Sequence, residues 1–595
     1  MFRIKLKRIF IFFILILAPP SFAWSDNPWD LETLVITKQK QSFLNSYSLE
    51  PSQDGGFNYQ SSLEDLSSLP VDLQSRLLEG GIQTDFSLRG STFSQVLILL
   101  NGQRVNDPQT AHHNADIPFT KEDIKNIQVL PGAGSSLFGP DAIGGAINFT
   151  LAPAKEKRTV WEFAAGSQRN GYGLFSITDR FKDLGFRVSV EDAQSRGFRD
   201  DTDSKKFTAS LGTYWQLPLG SWENNFGYQE KEFGAYDFYT PGKGYPSREW
   251  TKTYLLNSGF NLNKNDYLIK PNLLYRRHFD KFALDERIAD YNDHRTDMFV
   301  PSIYLQKESG LWGKIGLGLE WGREEITSTS LGKHLRQHQS LFLDDSLALG
   351  ERWDLGFSLR LDDFSDFDMV YTGNAGLKFK LNTEAAFNFG VSRSMRIPSF
   401  TELYYNDSTT LGNANLAAEQ AWNYQAGFEL KKEGFSAGLV LFLRQEDQMI
   451  DWVRSDSGQL WQARNFTCDN VFGVEYSLHK KINRMFSWDA HYTYTDKAID
   501  NQGYLYKYGP NYARHLVNTV FSLDLPFGQQ EIGINYKKRP GRRGWLLLNA
   551  GLNYNLNKNS KIFLNSTNIL NVEYQDIAGI PQAGRYIQAG LRLEW

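Results

Sequence analysis

Histidines and carboxylates are the side chains here whose types could do chemistry, and they crowd one stretch: Asp107-Pro108-Gln109-Thr110-Ala111-His112-His113-Asn114-Ala115-Asp116. On an extended chain adjacent side chains point to opposite sides, so His112 and His113 make a poor chelating pair. The run reads instead as a polar loop offering hydrogen bonds to a ligand. Gly132-Ala133-Gly134-Ser135-Ser136-Leu137-Phe138-Gly139 tempts a phosphate reading, but the spacing is not G-x-G-x-x-G and no Gly-Lys-Ser/Thr follows. Its glycines better serve positive φ angles and close backbone approach. With 9 histidines and no G-x-S-x-G, no nucleophile and base are placed for catalysis. The 64 Lys and Arg against 68 Asp and Glu leave no basic stripe, which excludes nucleic acid as a partner. The only cysteine is Cys468, so neither an intrachain disulfide nor a lipid-anchored cysteine at a processed N-terminus is expected.

The elements that must position these residues are mostly strands. Arg3, Lys5, Lys7 and Arg8 precede an apolar run from Ile9 to Leu17 and small residues near Ala23, which predicts a secretory signal peptide over residues 1–23. The run is too short for a membrane helix, which needs roughly 20 apolar residues. No later stretch is long and apolar enough either, yet 15 Trp, 28 Tyr and 42 Phe accompany 50 Gly, at a mean hydropathy of only -0.45. A membrane β-barrel has this profile, because lumen-facing polar residues alternate with lipid-facing apolar ones. Ile315, Leu317, Leu319 and Trp321 alternate with Gly316, Gly318, Glu320 and Gly322. The last strand sets Ile587, Ala589, Leu591, Leu593 and Trp595 against Tyr586, Gln588, Gly590, Arg592 and Glu594. A soluble sandwich would need a second apolar layer that these polar faces do not supply. Residues 154–595 suit about 22 tilted antiparallel strands, within a range of roughly 18 to 24.

Ahead of the barrel, residues 61–153 read as a small α+β unit of short strands and tight turns, such as Val96 to Leu100 into Asn101-Gly102. Leu63, Leu66, Leu69, Leu73 and Leu77 lie near helical spacing, interrupted by Pro70, and predict two short helices packed on its sheet with the leucines in the core.

Three ordered blocks within that unit carry a resemblance: Leu88-Arg89-Gly90, Val96-Leu97-Ile98-Leu99-Leu100-Asn101-Gly102, and Ile127 to Asn148 ending in Gly144-Gly145-Ala146-Ile147-Asn148. They resemble the plug domain of TonB-dependent outer-membrane receptors. The block from Arg396 to Tyr405 and the later Gly412-Asn413-Ala414-Asn415-Leu416 are similar to a barrel segment of the same family. The resemblance implies a 22-stranded barrel in the outer membrane of a Gram-negative-type bacterium, a plug in its lumen, and active uptake of a scarce ligand. It makes Thr33, Leu34, Val35, Ile36 and Thr37 a TonB box within a periplasmic segment over residues 24–60, where a strand could add to a sheet edge of TonB. Ser91, Thr92, Asp107, Gln109, His112, His113, Asn114, Tyr239, Tyr404 and Tyr405 become candidates for ligand contact at the plug apex and outer loops.

Within the family the cobalamin branch is the nearest in look. Gly197 to Asp203 and Gly234 to Gly242 are similar to its paired calcium loops, which makes Asp201, Asp203, Asp237 and the backbone carbonyl of Tyr236 calcium ligand candidates. The first loop is shorter than the family pattern and lacks its glutamine. The expected ligand is cobalamin or a related corrinoid, with a ferric siderophore, haem or another metal chelate as the alternative. The expected partners are TonB and outer-membrane lipid, with a surface lipoprotein as a candidate lid, and the expected state is a monomer. A passive porin, a structural or adhesive barrel and an outer-membrane enzyme are the alternatives of other classes, and the first two leave the plug blocks without a purpose.

Overall fold

The alternation of apolar and small or polar residues folds into a closed barrel of 22 antiparallel strands, from Arg158–Gly166 to Tyr586–Glu594. The computed structural model describes residues 46–50, 61–77, 81–132, 134–288, 290–310, 313–466, 469–498 and 503–595. The signal peptide, the TonB box at 33–37 and most of 24–60 lie outside the described residues. The last strand closes the cylinder on the first, pairing Gln588 with Gly166 through to Glu594 with Val160. Leu317 and Leu319 are exposed on the outer face. Gly318, between them, faces inward, and any side chain there would lie 1.9 Å from the Phe342 ring. The small residues of the inner face therefore make room for large ones on neighbouring strands.

The two ends of the barrel differ. At one end strands join by short turns, as between Phe181 and Leu184 or between Leu217 and Gly220; at the other, long segments such as 397–418 intervene. In outer-membrane barrels the short turns are periplasmic and the long loops extracellular. Outer loops build a sheet of their own from Thr410–Leu411, Trp461–Phe466, Met449–Arg454 and Leu505–Tyr506.

The plug is a mixed sheet. In chain order its strands are β1 (Tyr47–Leu49), β2 (Asp72–Leu77), β3 (Gln83–Ser87), β4 (Val96–Leu100), β5 (Gln103–Arg104), β6 (Ile124–Pro131) and β7 (Gly145–Leu151). The five-stranded order is β1-β6-β7-β4-β5, with β4 parallel to β7. Asn101 and Gly102, at φ 51° and 81°, make the tight turn from β4 to β5, as an Asn-Gly pair favours. The sheet buries both faces, Ile98, Ile127 and Ile147 on one side and Leu97, Leu99 and Leu130 on the other. At Gly145 (φ 136°) a Cβ would meet the Leu130 carbonyl at 2.2 Å, so the sheet closes there only on glycine.

One expectation is overturned. A helix forms at Ser62–Asp65 and a 3-10 turn at Leu66–Ser68, but the second predicted helix is strand β2, paired with β3 through Leu73 to Phe86 and Gln74 to Asp85. Leu73 and Leu77 fit a two-residue period as well as a helical one, and Pro70 leaves too few residues for a stable helix. The five leucines are all buried.

The plug is held to the wall by a collar of buried ion pairs near the short-turn end. Lys121 lies 2.7 Å from Glu162, Glu122 2.8 Å from Arg592 and 3.0 Å from Arg158, and Asp123 2.7 Å from Arg187. Asp123 also accepts from the hydroxyls of Ser189 and Ser210 at 2.9 and 2.7 Å.

Candidate functional site

Above the plug and below the outer loops lies a cavity of about 760 Å³. Its floor is two turns of the plug. The 3-10 turn Phe93–Gln95 is closed by Thr92, whose N–H donates to the Gln95 side chain at 2.9 Å, and it presents Phe93. The turn Ala111–His113 presents the two histidines. The Phe93 ring stacks on His112 at 4.2 Å, and Tyr508 meets Phe93 edge-on at 5.0 Å. The upper wall is set by Asp451, whose carboxylate accepts from the N–H groups of Trp452 at 2.7 Å, Tyr508 at 3.2 Å and Gly509 at 2.7 Å. That carboxylate locks two outer loops together. Burial pushes its pKa up to about 6, against the pull of those N–H donors.

His112 and His113 diverge, as adjacent positions should, although in a 3-10 turn rather than an extended strand. His112 Nδ1 sits 3.0 Å from both oxygens of Asp85, with Arg76 paired to the same carboxylate at 2.8 Å. Burial outweighs Asp85 and pulls the imidazole down to about 4, so it is neutral at physiological pH. His113 turns the other way, 3.3 Å from Asp280 and 3.8 Å from both Glu249 and Asp116, with the His278 ring centred 4.6 Å away. Burial lowers its pKa, but Asp280, Glu249 and Asp116 outweigh that and hold it up to about 9.

The predicted contact residues divide into two groups. Thr92, Gln109, His112, His113, Tyr239 and Tyr405 line the cavity. Ser91, Asp107, Asn114 and Tyr404 are not among its lining. The Ser91 hydroxyl accepts from the Leu88 N–H at 3.2 Å inside the plug. Asp107 pairs with Arg276 and accepts from the Gln109 N–H at 2.8 Å, while the Asn114 side chain accepts from the Asp107 N–H at 2.8 Å, so these two shape the loop from below. Tyr404 stacks on His334 at 3.6 Å and 3°, facing the wall. Phe93, Trp452, Tyr508, Glu249 and Asp280 line the cavity without having been singled out from the sequence. The last two are inward-facing strand positions, and no local pattern tells which such position lies at cavity depth.

The two acidic loops do meet, the Tyr236 N–H donating to the Asp201 carbonyl at 3.3 Å. Oxygens of three of the four candidates are already engaged. Asp203 is bridged by Arg248 at 2.8 and 3.1 Å, the Tyr236 carbonyl accepts from Arg199 at 2.9 Å, and Asp237 accepts from the N–H groups of Gly242 and Gly244 at 3.0 and 2.7 Å. A calcium ion needs six to eight oxygens, and in this arrangement guanidinium groups already hold those of Asp203 and Tyr236.

A closed 22-stranded barrel whose lumen holds a plug with its own sheet, and a cavity between plug turns and outer loops, defines the class of plugged outer-membrane barrels. The family model described as TonB dependent receptor-like, beta-barrel matches residues 158–569, and the one for the TonB-dependent Receptor Plug Domain matches residues 57–146. The chain belongs to the TonB-dependent receptor family, an outer-membrane family of transporters and receptors rather than enzymes, whose members work with TonB. Among relatives, the vitamin B12 transporter BtuB of Photobacterium profundum is 23% identical over 71% of each chain. That of Vibrio cholerae serotype O1 is 22% identical over 97% of this chain and 98% of its own. Among solved structures, the siderophore receptor PirA of Acinetobacter baumannii superposes with a TM-score of 0.77 at 14% identity, covering 95% of this chain and 100% of its own. The ferric-catecholate import receptor Fiu of E. coli K12 superposes at 0.76 and 12%, over 93% and 97%. At such identities these structures bear on the fold alone.

Proposed function

We propose that this receptor imports a corrinoid, cobalamin foremost, with TonB as its energy source. The carrying observation is the character of the outer cavity. Its aromatic side chains, Phe93, Tyr239, Tyr405, Trp452 and Tyr508, offer flat contact area to a large ring system. Its carboxylates, Glu249, Asp280, Asp290, Glu402, Asp407 and Asp451, outnumber its lysines, Lys243 and Lys507. Like charges brought together cost several kcal/mol, so such a lining disfavours the polyanionic ferric catecholates and the propionates of haem. It suits a macrocycle rimmed by neutral amides, whose N–H groups donate to carboxylates. The full-length relatives named as vitamin B12 transporters support the same reading.

In this reading the ligand settles on the floor formed by Phe93 and His112 and rests against both plug and outer loops. The segment at Thr33 to Thr37 pairs with a sheet edge of TonB, and force applied there shifts the plug, since the barrel has no energy source of its own. The test is equilibrium binding of cyanocobalamin to the purified, detergent-solubilised chain, with a ferric tris-catecholate as competitor. Saturable binding that the competitor leaves intact is expected. Binding of the catecholate without cyanocobalamin would overturn the corrinoid reading. Deleting residues 33–37 should abolish uptake by cells and leave binding unchanged.

A further inference from the structure

Beneath the cavity floor, three side chains from two parts of the fold converge with nothing between them. His113 and Asp116 belong to the plug and His278 to the barrel wall, and their ligand atoms lie within 4.8 Å of one another. Their relative exposures are 2%, 3% and 0%. The Asp116 Oδ2 is 3.8 Å from His113 Nδ1 and 3.9 Å from His278 Nε2, and all three atoms are buried without a hydrogen-bond partner. A buried polar atom left unsatisfied loses its hydration without a replacement bond. Three facing the same point call for an occupant.

The far side of each group is oriented as a metal ligand's should be. His113 Nε2 is 3.3 Å from Asp280, His278 Nδ1 is 2.8 Å from the Thr253 hydroxyl, and the other oxygen of Asp116 is held by Lys231. Metal-bound histidines generally give their second ring nitrogen to a carboxylate, carbonyl or hydroxyl in this way. With metal bonds of about 2.0–2.2 Å, neighbouring ligand atoms stand roughly 3.3–3.6 Å apart, so Asp116 needs to approach each histidine by only a few tenths of an ångström, and the two histidines start within 4.8 Å of each other. Charge points in the same direction. Asp116, Glu249 and Asp280 lie around His113 with Lys231 on Asp116, so carboxylates outnumber the fixed cation around the three groups and favour a bound cation. His113 itself, with Glu249 and Asp280 beside it, lines the cavity, so one ligand of the three borders the cavity.

We infer that His113, Asp116 and His278 bind one divalent ion of borderline softness, of the zinc(II) or cobalt(II) kind, and that the bound ion fastens the plug apex to the barrel wall. Two imidazoles and one carboxylate select such ions over calcium and magnesium. The inference is independent of which ligand the cavity takes.

The test uses the full chain, purified in detergent and stripped with a strong chelator. Zinc(II) titrated at pH 7.5 is expected to bind at one per chain. His278→Gln should lower that affinity at least 100-fold, and Thr253→Val, which removes only the orienting hydroxyl, roughly 10- to 100-fold. Cobalt(II) should give a ligand-field absorption band in the wild type that His278→Gln lacks. Hydrogen exchange over residues 107–119 should slow when zinc is added to the wild type and stay unchanged in His278→Gln. Absence of stoichiometric zinc binding in the wild type would overturn the site, and so would binding that survives His278→Gln. If His278→Gln does not fold, Thr253→Val and the wild-type cobalt spectrum decide: unaltered zinc affinity in the one, or no band in the other, overturns the inference.

Discussion

Of the buried polar regions where the plug meets the wall, two are built in opposite ways. In the collar every carboxylate has a permanent cation within 3.0 Å: Glu122 has Arg592 and Arg158, Asp123 has Arg187, and Glu162 has Lys121 and Arg592. At the apex Asp116, Glu249 and Asp280 surround His113 and His278, with Lys231 on Asp116, and several buried atoms there have no partner. Arginine cannot lose its proton in a protein and grips a carboxylate with a planar fork, so the collar is fixed under all physiological conditions. Histidine exchanges protons and metals. The difference teaches that the end of the plug facing the ligand adds an exchangeable histidine cluster to fixed pairs such as Asp107–Arg276, whereas the opposite end relies on fixed pairs.

The largest effect should come from breaking the collar. Asp123→Ala leaves Arg187 buried without its counter-charge, which costs about 3–5 kcal/mol. Protease accessibility of the plug should rise sharply while the barrel stays folded, and a plug as resistant as wild type would dissolve the distinction drawn here. Acid offers a graded version of the same test. Burial pushes the Glu122 pKa up, but Arg592 and Arg158 outweigh it and bring it down to about 2. A carboxylate held below its unfolded value stabilises above that value, 4.5 here, and the stabilisation disappears as pH falls through about 2. The protection factors of amides around residues 119–124, exchange rates divided into their intrinsic rates at each pH, should therefore be unchanged from pH 7 to 5 and fall toward pH 2.

Changes at the cavity should be smaller and leave the collar untouched. Trp452→Ala removes an aromatic wall and is expected to raise the dissociation constant for cyanocobalamin about 10-fold, in line with the 1 kcal/mol or more that buried aromatic contacts contribute. Tyr239→Phe removes the hydroxyl that donates to Glu249 at 3.0 Å, a loss of roughly 0.5–1.5 kcal/mol. Equilibrium titration of both variants measures each effect. The smallest effect is expected from a calcium-selective chelator. Arg248 and Arg199 already satisfy the oxygens of Asp203 and Tyr236, so cyanocobalamin binding should not change, and a large weakening would return calcium to those loops.

The architecture was legible because its signals are local. The two-residue alternation that puts Leu317 and Leu319 outside is present in any short window, and so are the Asn101-Gly102 turn and the plug blocks. Local signals also mislead where two periods coincide, as in Leu73 to Leu77, where pairing with Gln83–Ser87 decided for a strand. The candidate site was legible only in part. Position in the loop was enough to bring Thr92, Gln109, His112 and His113 to the cavity, but not to keep Ser91, Asp107 and Asn114 out of it.

The sequence by itself determined that the strands form a membrane barrel, that a plug precedes them, and which side of each strand faces lipid. Only the tertiary structure decided which inward-facing residues meet. Strand tilt and barrel closure set the depth of every lumen side chain, and both depend on all 22 strands together. That is why Tyr404 turns to His334, why Arg248 reaches Asp203, and why His113 of the plug stands against His278 of the wall.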